Sequence, residues 1–178
     1  MRALLGCLLV YVFAGPVAFA QTPPIPDQQQ QFLSIVDDFA AKYKAAPNDM
    51  AKGGLRPQRA KAICDLMKNP KVTDWVGTVR ELSSNSAGKG VLVVSMSKIT
   101  NAGTWNNSLS DIGDKTLIEP GTPLHEAAIQ LKKKQSIVFS GTFVEGDKDC
   151  FRESSLTQSG SMSNPKWIFR FASVKAAQ

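Results

Sequence analysis

The sequence predicts a mainly β domain with N-terminal helices, built as a small five-stranded Greek-key barrel that carries a helix between its third and fourth strands. Three observations lead to it. Apolar residues recur at helical spacing between Phe32 and Met67, then switch to a period of two from Val72 onward. A short helix signal, Thr122-Pro123, interrupts the alternating pattern. Two aromatic-rich alternating runs, Ile137 to Phe143 and Trp167 to Phe171, close the chain.

The chain opens with one basic residue, Arg2, an apolar run from Ala3 to Ala14, a Gly15-Pro16 break and the small-residue pattern Ala18-Phe19-Ala20. This is the build of an export signal, with cleavage expected after Ala20. The run is shorter than the roughly 20 apolar residues a spanning helix needs. Once residues 1–20 are removed no stable membrane span is expected, and the protein is placed in the periplasm or outside the cell. Leu4-Leu5-Gly6-Cys7 has the outline of a lipidation box, yet it precedes nearly all of the apolar run, so Cys7 reads as an ordinary signal residue. Residues 21–31, rich in Pro and Gln, read as a flexible arm.

Residues 32–70 read as a helical segment packed on the barrel. Phe32, Ile35, Val36, Phe39 and Tyr43 share one face, which gives a helix from about Asp27 to Ala45. Pro47-Asn48-Asp49 and Gly53-Gly54 break the chain, and Pro57 opens a second helix whose inward face holds Ala60, Ile63, Cys64 and Met67. Asn69-Pro70 ends it. In the barrel, residues 71–176, Trp75, Gly77 and Val79 alternate in the first strand and Leu92, Val94 and Met96 in the second, with Gly88 and Gly90 in the loop between. After a polar, Asn-rich stretch from Ile99 to Ser110, a third strand is expected at Thr116-Leu117-Ile118. Thr122 then caps a helix with Leu124, Ala127, Ala128 and Leu131 as its apolar stripe, Glu126 near its positive end and Lys132 to Lys134 at its negative end. Ile137, Phe139, Gly141 and Phe143 form the fourth strand, and Trp167, Phe169 and Phe171 the fifth.

The order of three strands, a helix and two strands is that of an OB-fold barrel. Gly77 inside a long first strand suits the bend that such a barrel needs. The run Trp75-Val76-Gly77-Thr78-Val79, Gly88-Lys89-Gly90-Val91-Leu92, Phe139-Ser140-Gly141, Cys150, Glu153-Ser154-Ser155-Leu156-Thr157, Gly160-Ser161-Met162 and Pro165 resembles a family of exported bacterial OB-fold-like proteins, loosely related to the anticodon-binding OB domain. The resemblance spans roughly Tyr43 to Val174. It implies the fold and brings no catalytic residues with it.

Without the signal, 178 − 20 = 158 residues remain, enough for one domain with a core. Twenty basic residues then face 15 acidic ones, a net charge of +5 that favours acidic partners. Cys64 and Cys150 are the two remaining cysteines, and an even pair in an oxidising compartment is most simply one disulfide. Closing a loop of roughly 85 residues is worth about 4 to 5 kcal/mol in chain entropy. Neither cysteine has a CxxC or His partner at zinc-site spacing, so no metal and no cofactor is expected.

The connection between the fourth and fifth strands concentrates the residues capable of chemistry. Its serines, Ser154, Ser155, Ser159, Ser161 and Ser163, would need the single histidine, His125, as base, and no GxSxG or SxxK sequence occurs. Its carboxylates, Glu145, Asp147, Asp149 and Glu153, do not follow the calcium-loop pattern. Trp167, Phe169 and Phe171 can form a stacking platform, but the same alternation is what a barrel core requires. No catalytic residue set is assigned. Arg80, Trp105, Arg152, Glu153, Lys166 and Arg170 are expected on a ligand face. The expected function is a non-enzymatic periplasmic binding module for an envelope protein or an anionic polymer, with nucleic acid a less favoured ligand because of export. The alternatives are a hydrolase or nuclease using the strand four to five loop, with Glu153 or Ser161 as its working groups, and a structural subunit of an envelope assembly.

Overall fold

The computed structural model describes residues 23–146 and 149–177. The expected export signal, Cys7 and Asp147 lie outside them. Five strands, β1 (Lys71–Ser84), β2 (Gly90–Ser95), β3 (Asn101–Gly103), β4 (Ser136–Phe143) and β5 (Lys166–Ala176), close into a mixed barrel in the order β1-β2-β3-β5-β4. All neighbours are antiparallel except β3 and β5. This is an OB-like barrel. Helices α1 (Asp27–Ala45), α2 (Asp49–Gly53) and α3 (Leu55–Leu66) precede it, α4 (Pro123–Ile129) lies between β3 and β4, and α5 (Gln158–Ser163) lies between β4 and β5.

Closure depends on β1, which pairs with β4 over its first half and with β2 over its second. Thr78 is shared, facing Ser136 on one side and Ser95 on the other. Gly77, at the changeover, leaves no space for a side chain: an added Cβ would meet Val94 Cγ1, and the Ser95 carbonyl oxygen at 2.8 Å. Two irregularities bend the strand further, between Val72 and Trp75 and between Val79 and Glu81. In the first, Asp74 adopts φ 53° and its N–H donates to Ser140 Oγ at 2.9 Å.

The core is aromatic and runs from the barrel into α1. Trp167, Phe169 and Phe171 are all buried, which makes them core and no stacking platform. Phe32 of α1 packs at 5.4–5.6 Å from Trp75, Phe143 and Trp167. Gln29, one turn earlier, is fully buried because its side-chain amide behaves like a strand partner: Oε1 accepts from Val76 N–H at 2.8 Å and Nε2 donates to Val76 C=O at 2.5 Å. Satisfying both backbone groups removes a desolvation cost that would otherwise stay in the core. Asp27 to Gln31, part of the arm expected from composition, are therefore the first turns of α1.

Several elements differ from the sequence reading for identifiable reasons. The third strand is Asn101–Gly103, inside the polar stretch, and not Thr116 to Ile118. At Thr116 and Leu117 the backbone N–H groups donate to the Asp111 carboxylate, at 2.6 and 3.1 Å, and only Ile118 makes a bridge, to Gly90. α4 ends at Ile129, so Lys132 to Lys134 lie beyond it in a turn where Lys134 has φ 68°. Asn48 caps the extra helix α2 where only a break was expected. A register shift between Ser140 and Gly141 gives β5 one extra residue, so that beyond the Trp167, Phe169 and Phe171 alternation it is Val174, opposite Phe139, that enters the core.

Replacing Gly77 by alanine is expected to overpack the β1 changeover and cost about 1 to 3 kcal/mol, read as a lower urea midpoint. Alanine at Gly113, where an added Cβ meets nothing within 4 Å, is the control and should leave the midpoint in place.

Candidate functional site

The connection from β4 to β5 is fastened to α3 at three points. The first is the Cys64–Cys150 disulfide, whose Cα atoms are 5.3 Å apart, inside the usual range of about 4.4–6.8 Å. Cys64 does not face inward as its helical phase suggested: it is exposed, and with Cys150 it lines a surface groove beside Met67, Lys68 and Phe151. The second is Arg56, which grips Asp149 with both ends of its fork, Nε to Oδ1 at 3.0 Å and Nη2 to Oδ2 at 2.6 Å. Asp149 is buried while Arg56 stays partly exposed, so this two-point contact sits at the edge of the core.

The third is Arg59. Its side chain is buried, and its guanidinium donates to the Glu153 carboxylate, to Ser161 C=O at 2.8 Å and to Ser161 Oγ at 2.9 Å. The same guanidinium lies 4.9 Å from the Trp167 ring centre. Burial opposes charge on both partners, pushing the Glu153 carboxyl up and the Arg59 guanidinium down, and their mutual attraction opposes that push. Glu153 is thus an internal counter-ion and does not belong to a ligand face. Ser161, the other working group of the hydrolase reading, is bound in the same cluster.

A second cluster centres on Asp114. Trp105 Nε1 donates to its Oδ2 at 2.7 Å, Arg152 Nη1 to Oδ1 at 2.7 Å, and Arg170 Nη2 to its backbone carbonyl at 2.5 Å. Three residues expected on a ligand face therefore spend polar groups on holding the loop that follows β3. Asp114 is 5% exposed.

Arg80 and Lys166 meet elsewhere, in a cleft of about 280 Å³ on the outside of the barrel. It is lined by Arg80 and Glu81 of β1, Val93 of β2, Asn101 of β3, Ser154 and Ser155 of the stapled connection, Asn164 and Lys166. Asn101 is the internal support: its Oδ1 accepts from Arg80 Nη1 at 3.0 Å and from Ser95 Oγ at 2.8 Å, while its Nδ2 donates to Asn164 Oδ1 at 3.0 Å. Lys166 Nζ donates to the Thr104 carbonyl at 3.2 Å. Burial holds the Lys166 ammonium below the ordinary lysine value, with Glu81 opposing the shift. Ser154 N–H donates to Lys166 C=O at 3.0 Å, which ties the serine wall to β5.

The sequence reading missed Asn101, Asn164 and Asp114. The rule that OB barrels bind on the face of strands two and three would have pointed to Asn101, had β3 been placed correctly. The alternative catalytic sets do not assemble among the described residues. Asp149 and Glu153 face different arginines, and His125 lines a separate groove with Leu82, Val91, Ile118 and Ile129.

Compared with protein-family models, with curated proteins and with solved structures, the chain matches none.

Replacing Arg59 by leucine is expected to strand the buried Glu153 carboxylate and cost about 3 to 5 kcal/mol. The double replacement Arg59→Leu with Glu153→Leu should recover most of that loss, as read from urea unfolding of the four proteins in the cycle.

Proposed function

We propose that the protein is a non-enzymatic binding module of the cell envelope, exported from the cytoplasm, which recognises an anionic polymer through the cleft lined by Arg80 and Lys166. The observation that carries this reading is two cationic side chains, Arg80 of β1 and Lys166 of β5, each hydrogen-bonded to a neutral polar group, in a cleft walled by the disulfide-tied β4–β5 connection. A preorganised site of this kind loses little ordering entropy on binding. Its position outside β1 to β3, beside the β4–β5 connection, is where OB barrels take their ligands. The Cys64–Cys150 disulfide supports an oxidising compartment, and none of the described helices is long and apolar enough to cross a membrane. An envelope protein with an acidic patch is the same reading with a different carrier of the charge. Against the hydrolase or nuclease reading stands the fate of Glu153 and Ser161, both engaged by Arg59.

The test is binding of the protein, produced without residues 1–20, to fluorescent anionic polysaccharides over a salt series. Affinity should fall linearly with the logarithm of salt concentration, and Arg80→Ala or Lys166→Ala should each weaken it about tenfold to a hundredfold, the loss of one charge-assisted hydrogen bond. Raising the pH should weaken binding as Lys166 loses its proton, at a lower pH than an ordinary lysine would require. Salt-independent capture, or capture unchanged in both variants, would remove the cleft from the argument.

A further inference from the structure

The chemistry of the lining narrows the class of ligand, on the premise that the cleft is the binding site. Two cations, Arg80 and Lys166, share it with one carboxylate, Glu81. The complement is therefore a single negative charge with hydrogen-bond donors beside it, since a doubly charged group would meet Glu81 unpaired. The remaining polar groups are two amides, Asn101 and Asn164, and two hydroxyls, Ser154 and Ser155. Asn101 is 2% exposed and its side-chain groups are engaged within the protein, so it acts as a positioning residue for Arg80. The hydroxyls and Glu81 are free to exchange hydrogen bonds with a ligand's own hydroxyls. Ser83 Oγ donates to only one of the Glu81 oxygens, Oε1, at 2.9 Å.

Two further features narrow the ligand, the first of them against stacked single-stranded nucleic acid. Among the described residues no aromatic ring lines the cleft, whereas single-stranded nucleic acid is held by stacking on such rings. The second is size: at about 280 Å³ the cleft lies at the lower edge of the range of roughly 300 to 1,000 Å³ typical of small-molecule pockets. It takes one residue of a polymer at a time. The Arg80 fork is planar and matches a carboxylate with two parallel hydrogen bonds.

We propose that the cleft binds a carboxylated sugar, a single uronic-acid-type residue, with its carboxylate between Arg80 and Lys166 and its hydroxyls toward Ser154, Ser155 and Glu81. The carboxylated sugar has two sources, a free sugar acid or one residue of an acidic polysaccharide, and the cleft chemistry is the same for both.

Calorimetric titration tests it with five probes: glucuronate, an oligogalacturonate, the same oligomer as its methyl ester, a polyglycerol phosphate and a single-stranded oligodeoxynucleotide. The oligogalacturonate should bind saturably and its methyl ester at least tenfold more weakly, with Arg80→Ala abolishing that difference. Glu81→Gln should weaken the oligogalacturonate severalfold and strengthen the phosphate polymer. Glucuronate binding as tightly as the oligomer would assign the free sugar acid, and much weaker binding the polysaccharide. Equal affinity for acid and ester overturns the carboxylate assignment. Tighter binding of the phosphate polymer or the oligonucleotide than of the oligogalacturonate overturns the sugar-acid proposal but leaves an anionic-polymer module standing. Binding of none of the five overturns both. Retained far-ultraviolet circular dichroism and urea midpoint in Arg80→Ala, an exposed position, separate lost binding from lost folding.

Discussion

The buried Arg59 guanidinium is the interaction on which the shape of the β4–β5 connection depends. It is not an efficient way to stabilise a protein: taking both ions of an Arg–Glu pair out of water costs several kcal/mol per ion before their attraction is counted. Arg59 Nε and Glu153 Oε2 moreover have no hydrogen-bond partner among the described residues. What the pair supplies is geometry. Three directed hydrogen bonds donated by Arg59, to the Glu153 carboxylate, Ser161 C=O and Ser161 Oγ, pin both ends of the stretch that contains the start of α5. An apolar core at this position would bury as well and direct nothing.

The same lock links the two ends of the molecule. Arg59 belongs to α3 and rests on Trp167 of β5, which packs against Phe32 of α1. Glu153 and Trp167 form a bridge, so the residue held from one side by Arg59 is held from the other by the barrel. Ser154 follows immediately and faces the cleft. Arg59 and the cleft wall are thus separated by a single peptide unit, from Glu153 to Ser154.

Much of this was legible in the sequence and some of it was not. Apolar runs with inward residues at a spacing of two located β1, β2, β4 and β5, although the intervening Val76, Val91, Val93, Val138 and Ile168 are apolar and buried as well. β3 was hidden for a physical reason. Asn101 earns its place by hydrogen bonds and Gly103 has no side chain, so the strand carries no hydrophobic alternation, while the apolar Leu117 and Ile118 sit in a segment whose N–H groups are taken by Asp111. The site suffered from the same limitation. Arg80 and Lys166, both singled out from the sequence, do line one cleft, but the carboxylate each arginine would meet depends on tertiary contacts 38 to 94 residues apart in sequence. Nothing local distinguishes Arg152, spent on Asp114, from Arg80, presented to the cleft.

The distribution of carboxylates over arginines also bears on what the barrel can do. A catalytic carboxylate must be able to exchange a proton or meet a substrate, and Asp114, Asp149 and Glu153 are each engaged by an arginine, with both partners fully buried in the Arg59–Glu153 pair. A lid that gates a reaction must open, whereas this connection is held by one covalent bond and two arginines. Rigidity of that kind is a disadvantage for a gate and an advantage for a recognition surface, where each ordered side chain is an entropy cost already met before the ligand arrives. The contacts that engage Glu153 and Ser161 are therefore also the ones that fix the chain leading into Ser154 and Ser155 at the cleft wall, the arrangement the proposed binding role requires.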